Sequence, residues 1–267
     1  MINSISKAFN SAKKRGRPAL LTYTVAGYNT KKNSLKILKS ISKYADICEL
    51  GFPHNTPIAD GGQIQTCSYR AIKNGIKIKD VFKIVKDFKH SKFSKPVILM
   101  GYFNMVLQYG QNKFLNDCKK SKVDGLIIVD LQPEEDEDLI NELKKNEIDL
   151  IRLITPTTDE ERLKLILKNA SGFLYYVSVM GITGQKSADL NELKKSVAFI
   201  KKHTNLPVVP GFGIKNSTDV NNICKIADGA VVGSSIIKII EENLNNKDKM
   251  LSEINKFSKD LKDGTKV

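Results

Sequence analysis

The chain has 267 residues, 41% of them hydrophobic, enough for one sizeable core. No apolar run reaches the roughly 18 residues of a membrane span, and positions 1–17 are polar and basic without the apolar stretch of a secretory signal, so a soluble, cytoplasmic protein is expected. The net charge of +14 invites a nucleic-acid reading, but only Arg15, Arg17, Arg70, Arg152 and Arg162 are arginines among the 43 basic residues, and lysines spread over polar helix faces are a solvated surface rather than a recognition fork.

In chain order, eight short apolar runs recur. They are Ala19–Val25, Asp46–Leu50, Val97–Met100, Gly125–Val129, Asp149–Ile154, Phe173–Val177, Pro207–Val209 and Gly229–Val232. Each is short and mostly apolar, as expected of parallel strands covered on both faces. Helical spacing fills the gaps over Asn33–Lys43, Lys79–Phe88, Glu134–Lys145, Asp159–Lys168, Leu190–His203, Ser217–Ile226 and Ser234–Leu244, with a further amphipathic stretch at Lys247–Leu261. Alternating strands and helices imply parallel pairing with right-handed crossovers. Eight units favour closure, so the expected fold class is α/β, a (β/α)8 TIM barrel. It forms a single domain over 1–267 with helical extensions at both termini. A doubly wound open sheet is the alternative, but no G-x-G-x-x-G follows the first strand. Cys48, Cys67, Cys118 and Cys224 have irregular spacing and fit neither a zinc site nor a disulfide framework.

In such a barrel the chemistry belongs at the C-terminal ends of the strands. No lysine stands at an apparent strand end, which leaves no obvious Schiff-base nucleophile. His90 and His203 fall near helix ends on the opposite side, and His54 has no histidine partner for a metal. Carboxylate acid–base chemistry is what remains, with no metal expected. Glu49 sits in a strand that should be buried, where a carboxylate is costly unless it is paired or useful. A structural ion pair is the competing reading. Asp60, in the glycine-bounded loop that follows, supplies a second carboxylate in a different environment, which suits a division of roles. Asp130 is as well explained as a structural loop carboxylate. Tyr102 and Tyr175 are read as pocket wall able to pack on a planar apolar substrate. Glycines after strands 6, 7 and 8 (Gly181 and Gly184, Gly211 and Gly213, and Gly233 followed by Ser234) can surround an anion with backbone N–H groups at a helix start. Together these features suggest an acid–base enzyme acting on a phosphorylated compound.

The run Glu49-Leu50-Gly51-Phe52-Pro53, followed by Pro57-Ile58-Ala59-Asp60-Gly61 and Ile64-Gln65, resembles the signature of the tryptophan synthase α subunits. Asp130-Leu131-Gln132-Pro133-Glu134-Glu135, the Gly181–Gly184 loop and Gly211-Phe212-Gly213 agree with it, and the resemblance spans about Ala19 to Ile240. It implies a lyase that splits indole-3-glycerol phosphate into indole and glyceraldehyde 3-phosphate in L-tryptophan biosynthesis. By the same resemblance Glu49 is the general acid–base and Asp60 binds the indole N–H. Tyr23, Tyr102, Ile127, Tyr175, Thr183 and Phe212 line the substrate pocket. Gly184, Gly213, Gly233 and Ser234 bind phosphate. The implied partner is a β subunit that uses pyridoxal phosphate, in an α2β2 heterotetramer, while this chain holds no cofactor.

The sequence departs from the family pattern in loops. His54-Asn55-Thr56 stands where Phe-Ser-Asp is usual, Tyr28-Asn29 where Asp-Pro is usual, and Gln132 where Pro is usual. None of these removes a carboxylate assigned to chemistry. They bear instead on contact with the partner. Two other readings are a silent subunit that only activates the β subunit, against which both carboxylates argue, and another phosphate-binding barrel lyase or isomerase, against which the aromatic wall argues.

Overall fold

The computed structural model describes residues 3–28, 30–135, 137–177, 190–211 and 213–267. The strands are β1 (Ala19–Val25), β2 (Ile47–Gly51), β3 (Val97–Gly101), β4 (Gly125–Ile128), β5 (Asp149–Leu150), β6 (Arg152–Ile154), β7 (Leu174–Tyr176), β8 (Val208–Pro210) and β9 (Gly229–Val232). All the ladders are parallel, in the orders β5-β4-β3-β2-β1-β9 and β6-β7-β8. β5 and β6 are one barrel strand broken only at Ile151, whose N–H donates to the Leu126 carbonyl at 2.9 Å. At the other seam the Asp228 N–H donates to the Val208 carbonyl at 3.1 Å, joining β8 to the start of β9. The eight expected strands therefore close a barrel, each within one or two residues of the bounds read from the sequence.

The helices are α1 (Ser4–Lys14), α2 (Lys31–Ile41), α3 (Gly62–Lys73), α4 (Ile78–Lys89), α5 (Phe103–Tyr109), α6 (Gln111–Ser121), α7 (Glu137–Lys145), α8 (Glu160–Leu167), α9 (Leu190–Lys201), α10 (Ser217–Cys224), α11 (Ser234–Glu242) and α12 (Lys247–Gly264). Three of these, α3, α5 and α6, have no counterpart among the helical stretches read from the sequence, and α1 stands where an N-terminal helical extension was expected. In α3 the buried face is Cys67, Ser68 and Ala71, too small and polar to register as an apolar stripe. In α1 the stripe is Ile5, Phe9 and Ala12, with Asn3 capping the first turn.

α1 closes the N-terminal mouth of the barrel. Ile5 is fully buried and lies where a Cβ on Gly125 would be 3.0 Å away, and the Phe9 ring packs 5.6 Å from that of Phe173. The same face carries a recurring device. Asp46, Asp124 and Asp228 each stand just before a strand and accept the N–H of a residue at the start of the preceding strand: Leu20 at 2.8 Å, Val97 at 2.7 Å and Val208 at 2.8 Å. Each also meets lysine: Lys262, Lys89 and Lys201 respectively. Arg17 adds a two-pronged contact to Asp46, 2.8 Å at each oxygen. This end is built for cohesion, which leaves the opposite end for chemistry.

Candidate active site

Glu49 is the centre of the C-terminal end. It lies in β2 between Tyr23 of β1 and Ile98 of β3 in register. Its charge is felt by Tyr175 of β7, across the barrel, so both side chains point inward. The residue is 0% exposed, and neither carboxylate oxygen takes a hydrogen bond from any described residue. A structural ion pair would show a cation here, and among the described residues there is none in contact. Burial pushes the carboxyl up to about 8, so near neutral pH it holds a proton it can also give up.

Asp60 follows in the loop after β2. Burial raises it to about 6, and a hydrogen bond from the Tyr102 hydroxyl, 3.1 Å to Oδ2, pulls the other way. The loop is held by its own backbone: the Asp60 N–H donates to the Pro57 carbonyl at 3.0 Å, and Gln65 Nε2 donates to the Asp60 carbonyl at 2.8 Å. Two carboxylates of different proton affinity thus stand at one end of the barrel, both near Tyr23 and Tyr175.

Aromatic rings stand beside these carboxylates, and glycines make room for them. A Cβ on Gly51 would be 2.2 Å from the Tyr23 hydroxyl, and one on Gly211 would be 2.1 Å from the Tyr175 hydroxyl. Gly101 likewise clears space for the Phe52 ring, at 2.1 Å, but on the helix-facing side of the sheet, where Phe52 packs 5.8 Å from Phe114 of α6. The sequence shows these glycines at strand ends, but nothing in it tells a turn glycine from one that clears space for a ring. Ile127 is fully buried on β4, in register with Met100.

The loops expected to meet an anion converge on the start of α11. Gly233 caps α11 without a side chain, which leaves the first-turn N–H groups of the helix open. Ser235 Oγ donates to the Ile214 carbonyl at 2.8 Å and so draws the loop after β8 up to that helix start. Gly213 in this loop has φ +66°, and no described residue lies within 4 Å of where a Cβ would stand, a conformation that suits glycine. Ser234 is the first residue of α11 and is exposed. Thr183, Gly184 and Phe212 lie outside the described residues.

Other residues find structural work. Asp130 accepts the Phe103 N–H at 2.6 Å, which places a carboxylate at the start of α5. His90 caps the C-terminus of α4, and His203 follows α9 with its Nδ1 3.0 Å from the Phe199 carbonyl. All four cysteines are buried and free. No group of three or more metal-ligating side chains occurs among the described residues.

A family model described as tryptophan synthase alpha chain matches residues 9–266. The chain belongs to this family. The tryptophan synthase alpha chain of Pelagibacter ubique (strain HTCC1062) is 54% identical over 242 residues, covering 90% of this chain and 91% of that one. The alpha chain of Petrotoga mobilis is 41% identical over 262 residues, covering 98% and 99%. Among solved structures, tryptophan synthase subunit alpha from Legionella pneumophila str. Paris superposes with a TM-score of 0.91 at 33% identity, covering 99% of each chain. A tryptophan synthase of Mycobacterium tuberculosis does so with a TM-score of 0.90 at 26% identity, covering both chains fully. The chain is accordingly a lyase of tryptophan biosynthesis carrying the α reaction, the cleavage of indole-3-glycerol phosphate.

Proposed function

We propose that Glu49 and Asp60 divide the proton work of this cleavage. The observation that carries the assignment is a fully buried carboxyl with no partner among the described residues, raised to about 8, beside a second carboxyl raised only to about 6. Glu49 begins protonated and delivers its proton to the indole ring carbon C3, forming a C–H bond and a cationic indolenine. Asp60 stays ionised and accepts the ring N–H, so its negative charge offsets the positive charge that develops there. Glu49, now a carboxylate, removes the proton of the adjacent glycerol hydroxyl. The O–H pair becomes the aldehyde C=O, and the C–C bond breaks with its electrons returning to the ring. Indole and glyceraldehyde 3-phosphate leave, and Glu49 is protonated again.

Tyr23, Tyr102, Ile127 and Tyr175 flank the indole, with Thr183 and Phe212 as further wall. Gly213, Gly233 and Ser234, together with Gly184, hold the phosphate through backbone N–H groups and the dipole of α11. The step needs no cofactor held by this chain, because every group in it is a carboxyl, a hydroxyl or the substrate. The partner is the β subunit, where pyridoxal phosphate belongs, in an α2β2 assembly in the cytoplasm. No described helix is long and apolar enough to cross a membrane. The chain works as one barrel domain with helical extensions at its two ends.

Glu49→Gln tests the assignment. The variant should keep its fold and its affinity for an indole-alkyl phosphate while indole release falls by at least about a thousandfold, in line with loss of a general acid–base. Full activity in that variant would overturn it.

A further inference from the structure

Tyr102 and His54 do more than wall the pocket. The Tyr102 side chain is buried, and its hydroxyl has two partners: it accepts the Ala59 N–H at 3.1 Å and lies 3.1 Å from Asp60 Oδ2. A phenol has one proton. With the backbone N–H on the oxygen's acceptor side, that proton is directed to Asp60. Ala59 and Asp60 are neighbours, so one hydroxyl grips the loop backbone and its carboxylate together. On the other side of Tyr102 stands His54, ring centroids 5.0 Å apart and planes 32° from parallel. The His54 Nδ1 is buried and makes no hydrogen bond to a described residue, so packing is what this imidazole supplies.

We infer that Tyr102 is a positioning residue that orients the Asp60 carboxylate toward the substrate, and that the His54 ring braces Tyr102 in that pose. The inference rests on the reading of Asp60 as the group that meets the indole N–H. It accounts for a departure in the sequence: an imidazole at position 54 serves where the family usually has a phenyl ring, because the place calls for a flat ring and not for a particular heteroatom. Among the described residues the ionisable groups near Asp60 are Tyr23 of β1, Tyr102 after β3 and Tyr175 of β7, and Glu49 of β2 lies near the same Tyr23 and Tyr175. His54 and Asp130 lie beyond, around Tyr102. Among these only Tyr102 hydrogen-bonds the carboxylate. That bond favours the ionised form, so its loss shifts ionisation of Asp60 to higher pH.

The test follows indole release by the full chain between pH 5.5 and 8.5 for the wild type, Tyr102→Phe, His54→Ala, His54→Phe and Asp60→Asn, with a parallel carbon-13 NMR titration of the Asp60 carboxyl. If Tyr102 orients Asp60, Tyr102→Phe moves the acid limb of kcat/KM and the Asp60 titration up together, by about one pH unit for one lost charge-assisted hydrogen bond. The loss then reads as about five-fold larger at pH 6 than at pH 8. His54→Ala moves both in the same direction by less, and His54→Phe restores the wild-type profile. An unmoved acid limb and titration in Tyr102→Phe, with Asp60→Asn inactive, would overturn the positioning role and leave the Asp60 assignment standing. Full activity in Asp60→Asn would remove the assignment itself.

Discussion

The hydroxyl of Tyr23 fills the space that a Cβ on Gly51 would occupy, with 2.2 Å between the two. Tyr23 is the register partner of Glu49 and Gly51 that of Val25, so β1 and β2 deliver the ring and its gap to the same side of the barrel. Gly51→Ala should therefore act on the site through Tyr23, which has to swing toward Glu49. Overpacking of this kind costs about 1–3 kcal/mol of stability. A displacement of about 1 Å beside reacting groups costs on the order of a hundredfold in rate. Thermal unfolding and indole release measured on the same preparation check both numbers. A variant with wild-type kcat would show that Tyr23 is free to move.

The two carboxyls predict the pH dependence of the reaction. On the proposed division of roles, turnover needs Asp60 ionised and Glu49 protonated, and burial raises them to about 6 and about 8. The profile of kcat/KM should be a bell with limbs near these values, the acid limb belonging to Asp60 and the alkaline limb to Glu49. Replacing Glu49 by Asp should lower activity and leave the acid limb in place. A profile flat from pH 5 to 9 would contradict the division of roles.

Glu49 should also lower stability where it works. Its proton affinity is higher in the folded chain than in the unfolded one. The stability it contributes is complete below pH of about 4.5, the ordinary value, and is lost as pH rises through about 8. Glu49→Gln cannot ionise and escapes that loss. The variant should match the wild type near pH 4.5, gain progressively across neutral pH and level off above about pH 8, ahead by a few kcal/mol. Thermal melts at pH 5, 7 and 9 follow the trend, and a constant or shrinking difference would show that Glu49 is solvated or paired.

Much of this was legible before any coordinates. The strands announced themselves because parallel barrel strands are apolar on both faces; Ala19–Val25 is buried along its whole length. The two carboxylates stand out because Glu49 falls in a strand expected to be buried and Asp60 in the glycine-bounded loop that follows. The helices that escaped did so for physical reasons. α6 buries Phe114, Leu115 and Cys118 in a stretch otherwise polar and lysine-rich, and α5 buries only Val106. Hydrogen bonds were also out of reach: that Tyr102 rather than a cation meets Asp60 depends on a loop folding back 42 residues along the chain. Even the few arginines, whose scarcity argues against nucleic-acid recognition, acquire a meaning. Arg17 forks onto Asp46, Arg70 meets Glu241 and Tyr28, and Arg162 reaches Glu134 and Gln132. Where several acceptors converge, a guanidinium persists in a chain that otherwise uses lysine.

The N-terminal face offers a control far from the chemistry. Burial alone would raise the Asp46 carboxyl, but Arg17 and Lys262 outweigh it and hold it below the usual carboxylate value. Its stabilising effect is therefore present above pH of about 4 and is lost as pH falls below that. Lys262, the second cation, is itself pushed down to about 8 by burial, despite Asp46. Asp46→Asn should destabilise the fold by about 3–5 kcal/mol at pH 7, since it strands two largely buried cations, and the deficit should shrink below pH of about 4. At temperatures where both are folded, kcat should match the wild type. A lowered kcat in folded protein would mean that the two ends of the barrel are coupled.

Partner contact can be separated from chemistry at the other end. Ile58 is 80% exposed in the loop between β2 and Asp60, and Leu107 is 54% exposed on α5 after β3. These two large apolar side chains are the contact the β subunit is expected to cover. Thr56 stands in the same loop in place of the acid usual to the family, so the contact here rests on apolar burial more than on charge. Ile58→Asp places an unpaired carboxylate in that contact and should weaken binding of the β subunit by at least about tenfold, through faster dissociation. Turnover by the isolated chain should stay within about threefold of the wild type, because Ile58 points to solvent while the Asp60 backbone is held by Pro57 and Gln65. Restoring an acid with Thr56→Asp should leave the apolar contact intact and increase the salt dependence of association. Sedimentation with added β subunit, paired with indole release by each chain alone, reads both effects. Unchanged binding by Ile58→Asp would move the partner surface elsewhere on the barrel.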